Sequence, residues 1–179
     1  MKILKYIGIA VLVIIAIPLI VALFVSKDAN YNKSIAIDAP VHVVWENVNS
    51  LADLDKWSPW NDKDPGMKKD WIGTDGTVGA IQSWESDVEG VGTGSQTISN
   101  IEAPNLFVTD LKFYEPYESE AKAYVKLTSD GNRTVVTWGF ESEMPYPFNI
   151  MGLFRNLEEM LDEDYNKGLG RLKQICENK

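Results

Sequence analysis

Hydrophobic residues follow three successive patterns along this chain. Tyr6 to Val25 is twenty residues without a charge. At roughly 1.5 Å per residue that spans the ~30 Å hydrocarbon core of a bilayer, so a single membrane helix is predicted there. Pro18 would kink such a helix without forbidding the span. From Tyr31 to Glu143 the apolar positions mostly alternate with polar ones, the period of half-buried strands. From Phe148 to Cys176 they recur every three or four residues: Ile150, Leu153, Phe154, Leu157, Met160, Leu161, Tyr165, Leu169, Leu172 and Ile175. That spacing predicts one amphipathic helix, with Glu158, Glu159, Asp162, Glu163, Asn166, Arg171 and Lys173 on its wet side. About 26 residues would make a rod near 40 Å long. It needs a large apolar partner, and the strands before it are the only supply.

The strand region opens with Tyr31 to Ile37. Asp38-Ala39-Pro40 stops it and starts a short helix, with Asp38 near the cap and Pro40 in the first turn. Val41, Val44, Trp45 and Val48 line one face of that helix, and Ser50 to Trp57 forms a second, broken by Pro59. Six further strands are predicted over Lys68–Gly73, Val78–Glu85, Gly94–Ala103, Leu106–Tyr114, Ser119–Ser129 and Arg133–Glu143. Asp130-Gly131-Asn132 is a hairpin signal between the last two. Alternation puts Val136, Trp138 and Phe140 on one inner face, Phe107, Leu111 and Phe113 on another, and Ala121, Ala123, Val125 and Leu127 on a third. The stretch Ser95-Gln96-Thr97-Ile98-Ser99 is polar on both faces, which suits a cavity wall or a wet strand better than a dry core. The predicted fold class is therefore α+β. A seven-stranded antiparallel sheet curls around a long C-terminal helix, with two short helices after the first strand and one transmembrane helix ahead of it.

Composition sharpens this picture in three ways. All 26 Asp and Glu lie after residue 26, while Lys2 and Lys5 precede it, leaving 15 basic against 26 acidic residues and a formal charge of −11. Such a domain repels phosphate backbones, so no nucleic-acid partner is expected. The exit of the apolar run, Phe24-Val25-Ser26-Lys27-Asp28-Ala29, lacks a small-x-small cleavage pair, and no lipobox cysteine is present. We therefore expect residues 1–26 to be an uncleaved anchor (a cytoplasmic tip plus the membrane helix through residues 6–25) and residues 27–179 to be one domain. Lys2 and Lys5 hold the amino terminus inside, so the domain is expected on the extracytoplasmic side, with Lys27 weakening the asymmetry.

Several phrases fall in a familiar order: Ile37-Asp38-Ala39-Pro40 followed by Val44-Trp45, Trp57-Ser58-Pro59-Trp60, and Val78-Gly79-Ala80 with Trp84-Glu85. Gly92-Thr93-Gly94-Ser95, Arg133-Thr134-Val135-Val136-Thr137-Trp138 and Gly168-Leu169-x-x-Leu172-Lys173 complete the series. Over residues 31–176 the chain resembles the helix-grip superfamily of START and birch-pollen-allergen-like folds, and within it the polyketide cyclase/dehydrase and lipid-transport (SRPBCC) group. The resemblance implies an apolar cavity between sheet and helix that takes lipids, sterols, polyketides or other hydrophobic molecules. A few members of that group catalyse ring closure or dehydration.

Candidate wall residues for such a cavity are Trp57, Trp60, Trp84, Phe113, Trp138, Phe140, Met151 and Phe154, with Trp57 and Trp60 placed nearest a mouth. Each competes with a plain core role. No catalytic residue is singled out: His42 lies on the first turn of a short helix among surface-like positions, and Cys176 is the lone thiol. One His and one Cys supply no zinc or thiol constellation, so neither a metal nor a cofactor is expected. The run Glu158-Glu159-x-x-Asp162-Glu163-Asp164 fits a solvated helix face, partly paired with Arg155 and Lys167, with a basic protein partner as its alternative. The favoured function is a membrane-anchored binding domain for a hydrophobic small molecule or lipid. The alternatives are a cyclase/dehydrase-like enzyme using the same cavity and a ligand-free interaction domain.

Overall fold

A computed structural model describes residues 2–154 and 156–178. The expected pairing of Arg155 with the acidic run lies outside those residues. The first helix, α1 (Lys2–Ala22), is followed by β1 (Asp28–Ile37), α2 (Val41–Trp45) and α3 (Leu51–Trp57). A further single turn, α4 (Trp60–Lys63), follows Pro59. Then come β2 (Lys68–Ile72), β3 (Ile81–Glu85), β4 (Thr93–Glu102), β5 (Leu106–Glu115), β6 (Ser119–Asp130) and β7 (Arg133–Glu143). The chain ends in a 3-10 segment, Phe148–Leu153, and α5 (Leu157–Glu177). The strands form one antiparallel sheet in the order β1-β7-β6-β5-β4-β3-β2. This is the curled seven-stranded sheet with a long C-terminal helix that the alternation predicts.

Register fixes which side of each strand looks inward. Trp138 on β7 pairs with Lys33 and Val125, and Phe140 pairs with Tyr31 and Ala123. The inner rows are thus Tyr31, Lys33, Ile35 and Ile37 on β1, and Val136, Trp138 and Phe140 on β7. The β6–β7 turn is closed by Asp130 and Arg133 in register, with Gly131 at φ 65° in the first of its two central positions. A side chain there would be strained, so glycine suits that turn.

Helix α5 runs parallel to β1, from Asp162 beside Tyr31 and Lys33 to Glu177 beside Asp38. Fifteen helical steps and seven extended ones both cover about 22–23 Å, so the two elements stay matched end to end. Tyr165, Gly168, Leu169, Leu172 and Cys176 form its buried stripe. Full burial of Leu169 and Leu172 stabilises by about 1.5–3 kcal/mol each. Their neighbours in the core are Ile37, Val44, Val48, Trp57, Leu127 and Val136. These residues fill the half of the sheet near Ile37, and a smaller group (Leu51, Ala80, Ile98, Phe107) closes the side under α3.

Two expectations are corrected here. The Phe148–Cys176 rod is two pieces: Phe148–Leu153 is a 3-10 segment, and α5 begins only at Leu157. Asn156 restarts the helix by accepting a hydrogen bond from the Glu158 amide on its side-chain oxygen, 3.0 Å away. With 21 residues, α5 is about 32 Å long rather than 40 Å. Asp38 does not cap α2: Pro40 holds the N-cap position, with no side-chain bond, ahead of Val41, and the Asp38 amide donates instead to Glu177 Oε1 at 2.7 Å.

The acidic face of α5 is only partly free. Asp164 is buried and takes Lys63 at 2.5 Å, while Asp162 accepts from Tyr31, Lys33 and Asn166. Lys167 pairs with Asp62, which also takes Arg171. These bonds hold the carboxyls of Asp162 and Asp62 below the usual aspartate range, and the Asp38 amide with Lys173 does the same for Glu177. A depressed carboxylate stabilises the fold above its unfolded pKa of about 4, and that contribution is lost as pH falls through the folded value. Thermal melts from pH 6 to pH 3 are therefore expected to show a fall in Tm confined to the acid end. Asp162→Asn should flatten part of that fall, and an unchanged acid slope would show that these pairs do not help to hold α5 in place.

Candidate functional site

A cavity of about 290 Å³ lies between the sheet, α3, α4 and the first three turns of α5. It occupies the half of the domain left unfilled by the core. Its sheet wall is Trp84, Phe107, Leu111, Phe113, Ala123, Val125, Trp138 and Phe140, and its helix wall is Trp57, Trp60, Leu157, Leu161 and Tyr165. Alternation puts these residues there. In β5, Phe107, Leu111 and Phe113 share the inner side, and in β7 Trp138 and Phe140 do. The small Ala123 between them leaves volume that a larger residue would fill.

The aromatic rings form a connected set. Trp138 stacks on Tyr165 with centroids 4.0 Å apart and meets Trp57 edge-on at 4.8 Å and Trp60 at 5.6 Å. Trp84 meets Phe113 edge-on at 6.0 Å. Offset and edge-on pairs of this kind add about 0.5–1.5 kcal/mol each beyond their area burial. Burial pushes the Tyr165 phenol well above its ordinary pKa. Tyr31, whose hydroxyl donates to Asp162 at 2.7 Å, is raised to about 12, by burial first and by that bond second. Both phenols therefore stay neutral across the physiological range.

Six of the eight predicted wall residues (Trp57, Trp60, Trp84, Phe113, Trp138 and Phe140) meet at this cavity. Trp57 is less a mouth residue than expected: it is buried, and its indole nitrogen donates to the Asn47 carbonyl at 3.1 Å. Half-buried Trp60 is nearer the rim. Met151 and Phe154 are not on the wall. They belong to the segment ahead of Asn156 that the helical stripe absorbed, and Phe154 is 83% exposed. His42 is exposed on α2. Among the described residues, no group of three or more His, Cys, Asp or Glu is arranged to hold a metal.

One feature of the wall went unpredicted. A polar chain closes one side, built from residues of five elements. Gln96 on β4 donates to Gln82 on β3, and Gln82 donates to Asp55 on α3 at 3.4 Å. Lys69 on β2 sits 2.6 Å from both Asp55 Oδ1 and Asn61 Oδ1, and Asn61 on α4 donates to the Asp55 carbonyl. All five side chains line the cavity. Gln82 is only 3% exposed, so its two partners offset the cost of burying an amide. The signal was present in the strands: Gln82 with Trp84, and Gln96 with Ile98, occupy inner positions by alternation.

A curled sheet gripping a terminal helix around an apolar cavity defines the architecture, and sequence comparison decides the family. The family profile described as polyketide cyclase / dehydrase and lipid transport matches residues 28–177. This chain belongs to that family. Membership supports, in general terms, the binding of a hydrophobic ligand. No curated protein matches the sequence. Among solved structures, this family member is similar to a protein of Nitrosospira multiformis, with 20% identity, a TM-score of 0.59, and 81% of this chain and 94% of that one covered. Norcoclaurine synthase from Thalictrum flavum is similar at 14% identity and TM-score 0.58, with 89% and 90% covered. Ara h 8.0201 follows at 13% and 0.55, with 84% and 96% covered. At such identities the likeness is one of fold, and a single fold of this kind carries many activities.

Proposed function

We propose that this chain is a membrane-anchored binding domain that holds one amphipathic small molecule or single-chain lipid, without covalent chemistry. The observation that carries the reading is the cavity, apolar over most of its wall with one cluster of side-chain amides and a Lys–Asp pair. Small-ligand sites are typically apolar with a few placed polar groups, and 290 Å³ stands at the lower end of their usual range of about 300–1,000 Å³. That size suits one ring system or one acyl chain. The ligand's apolar body would lie against Trp84, Phe113, Trp138, Phe140 and Leu161. Its polar group would reach Gln82 and Gln96, whose amides have more donors and acceptors than their mutual bond uses. Helix α1 supports the location: its apolar side chains from Ile3 to Val21 are nearly all exposed, as those of a single-pass anchor or a signal sequence would be. We read it as an anchor with the domain on the extracytoplasmic side.

The test is native mass spectrometry of the full-length protein purified from its own membranes, released from detergent, with organic extraction in parallel. A stoichiometric adduct is expected, and its mass gives the ligand class. Ala123→Leu, which fills the cavity between Phe140 and Thr109, is expected to remove the adduct while the protein stays folded. Gln96→Leu should weaken retention by about 1 kcal/mol, roughly fivefold, for a ligand with a polar head. An apo mass from cells and after exposure to membrane lipids would defeat the binding reading and favour a ligand-free interaction domain.

A further inference from the structure

We propose that the segment Tyr146–Phe154 is a membrane-seating foot, binding the lipid interface of the bilayer that holds α1 and fixing the cavity end of the domain against it. The proposal rests on the reading of α1 as a membrane anchor. Its first support is how the anchor ends. The last four carbonyls of a helix have no partner within it, and in or near hydrocarbon each must find one. Leu19 O accepts from the Tyr146 hydroxyl at 3.3 Å, and Ala22 O accepts from Asn149 Nδ2 at 2.7 Å. Ile20 O and Val21 O take the amides of Leu23 and Phe24. The same Asn149 amide group donates to Val25 O at 2.9 Å, and the Met144 amide donates to Lys27 O at 2.7 Å. Asn149 is 1% exposed. The anchor is therefore capped by this segment and clamped to it.

The second support is what the clamped segment shows to its surroundings. Asn149 turns inward, while Phe148, Met151, Leu153 and Phe154 stay exposed, Phe148 at 63% and Phe154 at 83%. Four large apolar side chains within seven residues form an exposed patch that asks for a partner. Being pinned to the last turn of α1, the patch lies within a few side-chain lengths of the bilayer surface. Aromatic and aliphatic residues at that depth are the kind that settle into the headgroup boundary. Among the described residues the charges nearby are mixed, Lys27 in the clamped linker and Glu158 and Glu159 on the first turn of α5, so seating would come from apolar burial rather than from attraction to anionic lipid.

Register supplies the third support. Asp28, where the anchor delivers the chain, pairs with Glu143, and Ser142 pairs with Ala121. Ala121 pairs with Leu111, and Phe113 pairs with Gly94, itself opposite Trp84. The ends of the strands that carry Phe140, Phe113 and Trp84 thus lie toward the anchor. So do the 86–92 and 116–118 loops, where Val88 and Tyr117 are exposed, the second at 81%. Leu157 and Leu161, the cavity residues of α5, follow the foot directly. A seated foot holds the cavity half, not the filled half, at the lipid surface.

The experiment uses the full chain in phosphatidylcholine vesicles with an environment-sensitive fluorophore on a single introduced cysteine, Cys176 being buried. Gly152→Cys places the label in the foot, where a side chain meets nothing within 4 Å and the four apolar residues are kept. Asn132→Cys, in the β6–β7 turn at the far end of the sheet, is the control. Alkaline carbonate extraction is run on both. Expected is protein that resists extraction, with the label at 152 losing most of its emission to acyl-chain nitroxide lipid and the label at 132 unaffected. Asn149→Ala should then reduce the quenching at 152 while the protein still resists extraction. Extraction resistance with equal, weak quenching at both sites would overturn the foot and leave the anchor standing. Extraction of the protein by carbonate would sink the anchor reading, and the foot with it. Shielding of the label from aqueous iodide in native membranes, but not in the vesicles, would assign the patch to a protein partner and overturn the lipid.

Discussion

Trp138→Ala is expected to destabilise the domain by about 3–5 kcal/mol, the range for removing a large aromatic from a packed site. Trp138 is 7% exposed, with Tyr165 stacked on one face and Trp57 and Trp60 against its edges. Its removal unseats the sheet from α5 at the one place where rings from α3, α4, β7 and α5 converge. For a domain of this size, a loss near 4 kcal/mol lowers Tm by on the order of 10 °C. Thermal and urea unfolding check the value. The same ring also borders the cavity, so the substitution enlarges it, and the bound species should shift toward bulkier molecules or be retained less well. Unfolding unchanged by the substitution would mean that Trp138 is not packed at all, and both roles would go together.

Gly168→Leu approaches the same cluster from the helix side and is expected to cost about 2–3 kcal/mol, the upper part of the range for overpacking. A side chain at Gly168 would start 2.8 Å from Trp138 and 3.4 Å from both Trp57 and Pro59. None of these is a free chain end. The indoles are fixed by one another and by the Trp57 bond to the Asn47 carbonyl, so α5 would have to lift. Lifting it separates Leu157 and Leu161 from the sheet wall, so ligand retention should fall with stability. Trp138→Ala and Gly168→Leu are in contact and should not be additive: the double variant is expected to be more stable than the sum of the two single losses implies. Measured additivity would separate Gly168 from the ring cluster.

Strand alternation made most of this legible without coordinates. Val136, Trp138 and Phe140 had to share a face, and so did Phe107, Leu111 and Phe113, because a slip of one residue would turn each set to solvent. The break before α5 was hidden for a physical reason. Ile150, Leu153, Phe154 and Leu157 keep helical spacing across it, and spacing is blind to a backbone that changes from 3-10 to α. The local signs were Pro145 and Pro147 ahead of the segment and Asn156 two residues before Glu158, which is capping chemistry and not periodicity. Met151 and Phe154 were misplaced with it. The polar side of the cavity was harder still. Gln96 lay in the polar stretch that suited a cavity wall or a wet strand, no pattern singled out Asp55, Lys69 or Gln82, and only the register of β3 and β4 brings the two glutamines together. The unusual polarity of Ser95–Ser99 marked the strand without naming its partners.

The clamp between Asn149 and the end of α1 also limits how far the domain travels. Only Leu23 to Lys27 separate the anchor helix from β1, less than about 18 Å even when fully extended, and Val25 within them is pinned. A carrier that ferries cargo between two membranes needs a tether as long as the gap, or none. A domain held this closely has neither. With α1 in a bilayer and the cavity occupied as proposed above, a lipid ligand would enter from the leaflet beneath the domain and leave either to that leaflet or to a second protein that comes to collect it. On that reading the domain would be a stationary berth, and its usefulness would depend on the traffic that passes it.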